Sequence, residues 1–277
     1  MRTRPGSSRS TVRASHGRTV RTAAAACTTA VALLLAGCGT GQDTPGGDRG
    51  SRTQDGGGEA APEAAATSGA RHLPGVGARY RARIPEAAGQ AVVVHGEGRD
   101  SARSRVELWA RGGERDGGDE RDGRGGTGAW TLEKRWQGHN GKRGWTTDHH
   151  EGDKRTPVGV FTLTDAGGVD AAPAGTALPY LHSAAFTPPA HWADRTEHDF
   201  DHVVAIDYNR VPGTSPLDPT RPRGQEKGGF IWLHLDHGSG TSGCVSVPRR
   251  AMEYLLRTLD PDRRPVIVMG DRATLRD

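Results

Sequence analysis

Short apolar runs, mostly β-branched or aromatic and bounded by Gly, Pro or Asp, follow one another from residue 79 onward. They are RYRARI (79–84), QAVVV (90–94), RVELWA (105–110), AWTLEKRW (129–136), VGVFTLT (158–164), HVVAIDY (202–208), GFIWLHL (229–235) and PVIVMG (265–270). Runs of this length and punctuation predict strands. The period changes once: after Pro248, at a first helical position, Ala251, Leu255 and Leu259 recur every four residues with Met252 and Leu256 beside them. That spacing predicts a helix, which Pro261 stops. Many strands and one or two short helices predict a mainly β, sandwich-like fold.

Two stretches lack this patterning. Residues 39–70 hold almost no large apolar side chains and cannot bury enough surface to offset the entropy of ordering. They predict a flexible tether over 38–70. RGGERDGGDERDGRGGTG, at 111–128, predicts a disordered loop between two strands. The folded domain is then expected over 71–277.

The N-terminus reads differently again. Residues 1–37 carry Arg2, Arg4, Arg9, Arg13, Arg18 and Arg21, no acidic residue, and the apolar run AAAACTTAVALLLAGC that ends at Cys38. A basic segment followed by a short alanine-rich apolar one predicts an export signal and is too short for a spanning helix. Its end, Leu35-Ala36-Gly37-Cys38, resembles the lipobox of bacterial lipoprotein signal peptides. The resemblance implies acylation of Cys38 and a lipid anchor on the outer face of the cytoplasmic membrane, facing the cell wall.

Removal of this signal changes the charge and the cysteine arithmetic. The whole chain has a net charge of +4. Without six arginines its Lys plus Arg falls from 37 to 31 against 33 acidic residues, a balance of about −2. Bulk nucleic-acid or polyanion binding is therefore excluded. Cys27 leaves with the signal and Cys38 carries lipid, so Cys244 is the one free thiol in an oxidising setting. An unused thiol there is an oxidation liability, which points to Cys244 as a working residue.

Cys244 ends the segment HLDHGSGTSGC, a Gly/Ser/Thr-rich stretch that offers little to a core. A thiol becomes a nucleophile when a neighbouring base takes its proton. His234, at the end of an apolar strand, is the candidate base, since a rigid element suits that role. His237, in the mobile DHGSG loop, is the alternative. Gly243 allows a turn in which the N–H groups of Ser242, Gly243 and Cys244 face one point, as an oxyanion hole requires.

The stretch GGFIWLHLDHGSGTSGCVSVP resembles the active-site region of the L,D-transpeptidase family (YkuD-type catalytic domain). KRTPVGVFTL (154–163) is similar to that family's Thr-Pro-x-Gly-x-Phe segment, and VVAIDYN and PVIVMG follow the family's remaining strands in order. The resemblance spans roughly 80–270. It implies a YkuD-type fold, no cofactor, and a cysteine acyltransferase that takes peptidoglycan stem tetrapeptides through a thioester and forms crosslinks. The same chemistry with water as acceptor would be L,D-carboxypeptidase trimming. The family's common turn reads Ser-His-Gly-Cys, whereas here Ser242 occupies the histidine's place. The gap from His234 to Cys244 is ten residues, shorter than usual, and Ser246 stands where an Arg or Asn is frequent.

Two rival classes remain: a metal-binding and a non-catalytic cell-wall lipoprotein. HDFDH (198–202) and DHH (148–150) match no strong metal-ligand template, so no metal is assigned. His198 and His202 are expected as loop and strand-edge residues. Of the tryptophans at 109, 130, 136, 145, 192 and 232, most are expected in packing, with Trp145 the candidate for exposure.

Overall fold

The computed structural model describes residues 69–112 and 128–277. The expected signal, most of the tether, Cys38 and residues 113–127 of the inserted loop lie outside the described residues.

The strands are β1 (Gln90–Gly96), β2 (Arg103–Arg111), β3 (Trp130–His139), β4 (Trp145–Thr146), β5 (Thr156–Pro157) and β6 (Gly159–Thr162). They continue as β7 (Ala166–Gly168), β8 (Tyr180–His182), β9 (Val203–Ala205), β10 (Trp232–Leu235), β11 (Val245–Val247) and β12 (Val266–Asp271). Among the described residues three α-helices accompany them: α1 (Ala78–Arg81), α2 (Arg249–Thr258) and α3 (Arg272–Arg276). Ten strands form one sheet in the order β6-β12-β1-β2-β3-β11-β10-β9-β7-β8, and β4 pairs with β5. The mainly β expectation holds.

Side-chain alternation divides the sheet between packing layers. Val92 and Val94 of β1, Val106 and Leu108 of β2, and Ile267 and Met269 of β12 share one cluster with Leu233, Leu235, Val245 and Val247. Strands from opposite ends of the sheet therefore meet over a common core, the sandwich-like arrangement. Helix α2 closes that core with Ala251, Met252, Leu255 and Leu256, all fully buried. Burial of each larger side chain stabilises by about 1.5–3 kcal/mol. The opposite face of β1, β2 and β12 packs on Leu73, Val76, Tyr80 and Leu275. The opposite face of β9 and β10 carries a small cluster of Phe186, Val203, Ala205 and Trp232, against which Cys244 packs.

Two expectations fail. RYRARI forms α1 rather than a strand: only Tyr80 is buried there, and Arg79 and Arg83 lie over its ring. Trp145 is 1% exposed. It fills the space beside Gly96, where a Cβ would stand 2.0 Å from its Nε1, so the close approach of β1 requires glycine. The tryptophan that reaches solvent is Trp192, 43% exposed.

Candidate active site

Strands β10 and β11 run parallel, with Leu233 beside Val245, His234 beside Ser246 and Leu235 beside Val247. Their odd-numbered residues enter the main core. Alternation sends Trp232, His234 and Ser246 to the other face, with Cys244 at the head of β11. Cys244 and His234 thus project from adjacent strands on one face in a diagonal relation.

The thiol is half-buried and held on both sides. The Trp232 N–H donates to Sγ at 3.4 Å, and the thiol reaches the Phe230 carbonyl at 3.5 Å. Phe230 adopts a φ of +53°, a conformation that β-carbon residues rarely hold, and this backbone delivers its carbonyl to the sulfur. Burial pushes the Cys244 thiol up to about 12; the Trp232 amide opposes that rise and the Asp199 charge adds to it. The cysteine therefore rests as S–H.

The turn before it is fastened by two threonines. Thr241 Oγ1 accepts from Gly243 N–H at 3.1 Å and donates to the Cys244 carbonyl at 2.6 Å. Thr156 Oγ1 reaches the same carbonyl at 3.2 Å and accepts from Gly141 N–H at 2.7 Å. The Thr-Pro segment and the Gly-Cys segment are thus one unit in space. Gly243 has a φ of +154°, and a Cβ there would stand 3.2 Å from Ile231 Cδ1, 3.3 Å from Arg155 O and 3.5 Å from His149 Cε1. Of the three amides expected at an oxyanion hole, that of Gly243 is engaged by Thr241, while Ser242 and Cys244 flank it.

His234 is 2% exposed, and its Nδ1 lies 2.7 Å from the Leu235 carbonyl. A carbonyl only accepts, so Nδ1 carries the proton and Nε2 keeps the lone pair. Burial lowers its pKa to about 4 against the favourable Leu235 contact, so the ring is neutral near pH 7. Phe200 packs edge-on against it at 5.3 Å.

The His237 side chain is buried and paired rather than solvated. It is 6% exposed and pairs through Nδ1 with Asp199 Oδ2 at 3.0 Å, and its ring lies parallel to that of His234 at 6.4 Å. Burial raises Asp199 to about 6 despite the opposing charge and hydrogen bond of His237. The Asp199 carbonyl accepts from Leu235 N–H at 2.9 Å, which ties this pair to β10. Ser246 Oγ donates to Asp236 Oδ1 at 2.8 Å, and His139 Nδ1 meets the same oxygen at 2.8 Å.

Sequence reasoning missed Asp199 and Phe200. HDFDH divides its work: Asp199 and Phe200 face the histidines, while His198 pairs with Asp201 at 3.0 Å. His202 is buried and bonded to Tyr180 Oη at 2.9 Å, so it is more enclosed than a strand-edge residue. DHH likewise scatters. His149 lies buried against the Gly243 turn and 3.0 Å from Asp153 Oδ1, while Asp148 pairs with Lys227 at 2.6 Å. Among the described residues, no group of three or more His, Cys, Asp or Glu is placed to hold a metal ion. Phe230 and Trp192, 42% and 43% exposed, rim the aromatic cluster around Trp232 and Phe200.

Fold and site together define a β protein with a protonated thiol and a neutral, tautomer-fixed imidazole on one sheet face. The family model for the L,D-transpeptidase catalytic domain, YkuD, matches residues 115–268, and the chain belongs to that family. The match includes Thr156, His234 and Cys244 and begins after β1 and β2, which the sheet nonetheless incorporates. No curated protein and no solved structure gives a significant match.

Proposed function

We propose that this chain is a peptidoglycan L,D-transpeptidase with Cys244 as nucleophile and His234 as base. The observation that carries the reading is the register of β10 and β11, which puts the thiol on the same face as an imidazole whose Nε2 lone pair is fixed by the Leu235 carbonyl. Because both groups rest neutral, the proton must move during attack rather than before it.

In the proposed reaction Cys244 Sγ attacks the carbonyl carbon at the L-centre of the stem's diamino-acid residue, and the thiol proton passes to His234 Nε2. The oxyanion is held by the amides of Ser242 and Cys244. The C–N bond to the terminal D-alanine breaks, and His234 returns the proton to the leaving amine. An acceptor amine then attacks the thioester, loses its proton to His234 and releases the thiolate, which is reprotonated. His237, paired with Asp199, backs the base. Anchoring at the membrane through a lipid on Cys38, with the domain facing the wall, belongs to the same reading and rests on residues 35–38.

The test is incubation with a disaccharide tetrapeptide, wild type against Cys244→Ala, followed by mass spectrometry. Release of D-alanine and a mass adduct on Cys244, both lost in the variant, support the reading. Dimer as product assigns transpeptidation, and tripeptide with free D-alanine assigns trimming. Binding without release or adduct would sink the enzyme reading in favour of a binding domain.

A further inference from the structure

A second site stands at the C-terminal end of β1, three strands away from β11 in the sheet order. His95, Arg105, Arg272 and Arg276, with Pro74 and Gly75, enclose a cavity of about 260 Å³. His95 forms part of its wall and is 3% exposed, with Gly75, at a φ of +74°, packed against its ring. Arg105 stands beside it. Its Nε pairs with Glu107 Oε1 at 2.8 Å.

The charges around this space do not cancel. Glu107, 1% exposed, is shared by Arg105, by Arg135 at 2.9 Å and by the Trp109 indole N–H at 3.0 Å. One carboxylate thus serves two guanidiniums. Arg272 and Arg276 are exposed on α3 and form no ion pair among the described residues. The Asp271 carboxylate accepts from the Ala273 and Thr274 amides, and Asp277 lines an adjoining hollow with Arg81 and Arg276. Burial lowers His95 to about 4, and Arg105, Arg272 and Arg276 push in the same direction against Glu107. A neutral imidazole and three guanidiniums therefore meet at one cavity. Convergent cations with unspent donors are the arrangement that recognises an oxyanion by charge-assisted, forked hydrogen bonds.

We infer that this cavity binds a small oxyanion, a phosphate or carboxylate group, through Arg105, Arg272 and Arg276. Its volume admits the group together with a few attached atoms. The site is separate from the chemistry at Cys244, since His95 and Arg105 stand on β1 and β2, and β3 lies between them and β11.

The test is calorimetric titration of the full chain with inorganic phosphate and, separately, with acetate, at constant ionic strength set with chloride. Arg272→Ala/Arg276→Ala alters two exposed side chains, and its melting temperature checks that the fold is retained. Arg105→Lys keeps charge and loses the fork. Saturable binding of phosphate or acetate, weakened about tenfold or more in the double variant and also reduced by Arg105→Lys, establishes the site. The better of the two anions identifies the group. No saturable binding of either anion, or binding that the double variant leaves unchanged, overturns it. Alkylation of Cys244 is expected to proceed at the same rate in both variants.

Discussion

The Thr156 hydroxyl lies 3.2 Å from the carbonyl oxygen of Cys244, a contact that spans 88 residues of chain. Together with Thr241 it holds the nucleophile's own peptide from two directions. Thr156→Val keeps the shape and removes the hydroxyl, which also orphans the buried Gly141 N–H. The expected cost is about 1–3 kcal/mol of stability. D-alanine release should fall about tenfold or more as the turn loosens. Thr156→Ser should restore both, as read by melting temperature and by product mass.

The resting state predicts a characteristic thiol reactivity. With Cys244 pushed up to about 12, alkylation by iodoacetamide in the absence of substrate should be slow at pH 7 and still rising at pH 10. Asp199→Asn removes a negative charge that opposes the thiolate, so the alkylation curve should shift to lower pH. An unshifted curve would show that the carboxylate does not act on the sulfur.

The two histidines should separate by magnitude. His234→Gln is expected to lower the acylation rate by about 10²–10⁴, the range of a lost general base. His237→Gln should cost much less, since in the proposed reaction its ring only backs that of His234. Single-turnover formation of the Cys244 adduct, followed by mass, distinguishes them. Equal losses would transfer the base role or divide it.

Stability should decline on both sides of neutrality. His234 and His95 are each held near 4, so the unfolded chain binds more protons than the folded one between about pH 6.5 and 4. Each contribution is present above 6.5 and lost as pH falls, to a limit of about 3 kcal/mol. His149 and His202 are lowered as well and act with the same sign. Asp199, raised to about 6, acts oppositely by favouring the folded state at low pH, but it is one group against several. On the alkaline side the raised thiol makes the folded state lose stability as pH climbs above 9. Melting temperature against pH should fall from pH 7 toward 4.5, and Cys244→Ala should reduce the alkaline limb but not abolish it, since burial also raises Tyr180, Tyr208 and Tyr254.

Gly243→Ala tests the turn itself. A φ of +154° and neighbours at 3.2–3.5 Å leave little room for a methyl group. The variant should lose more than about 1 kcal/mol and most of its activity, in contrast to Gly238→Ala, whose Cβ would meet nothing within 4 Å but whose φ of +78° still carries strain. Comparing the two by denaturation and product release separates crowding at the nucleophile from backbone strain in the loop.

Much of this was legible along the chain. The runs at 90–94, 105–110, 129–136 and 265–270 alternate or saturate with β-branched residues, and the sheet keeps them as β1, β2, β3 and β12. Helix α2 was equally plain, because its four-residue spacing is the face it buries. RYRARI misled because arginines interleave with Tyr80 and Ile84 as polar residues do on a strand, yet those two apolar residues are four apart. Trp145 misled because its polar neighbours do not reveal Gly96, which admits it from 49 residues upstream. Asp199 left no local trace: its partner lies 38 residues later, and only the fold makes the pair.

The alternation of β10 and β11 has a consequence for how this protein can be altered. On these strands the odd-numbered Leu233, Leu235, Val245 and Val247 hold the core, while the even-numbered Trp232, His234, Cys244 and Ser246 face the chemistry. Parity therefore sorts mutations before any are made. Substitutions at odd positions act first on the core, whereas those at even positions act first on the reacting groups and on the cluster of Trp232 that holds them.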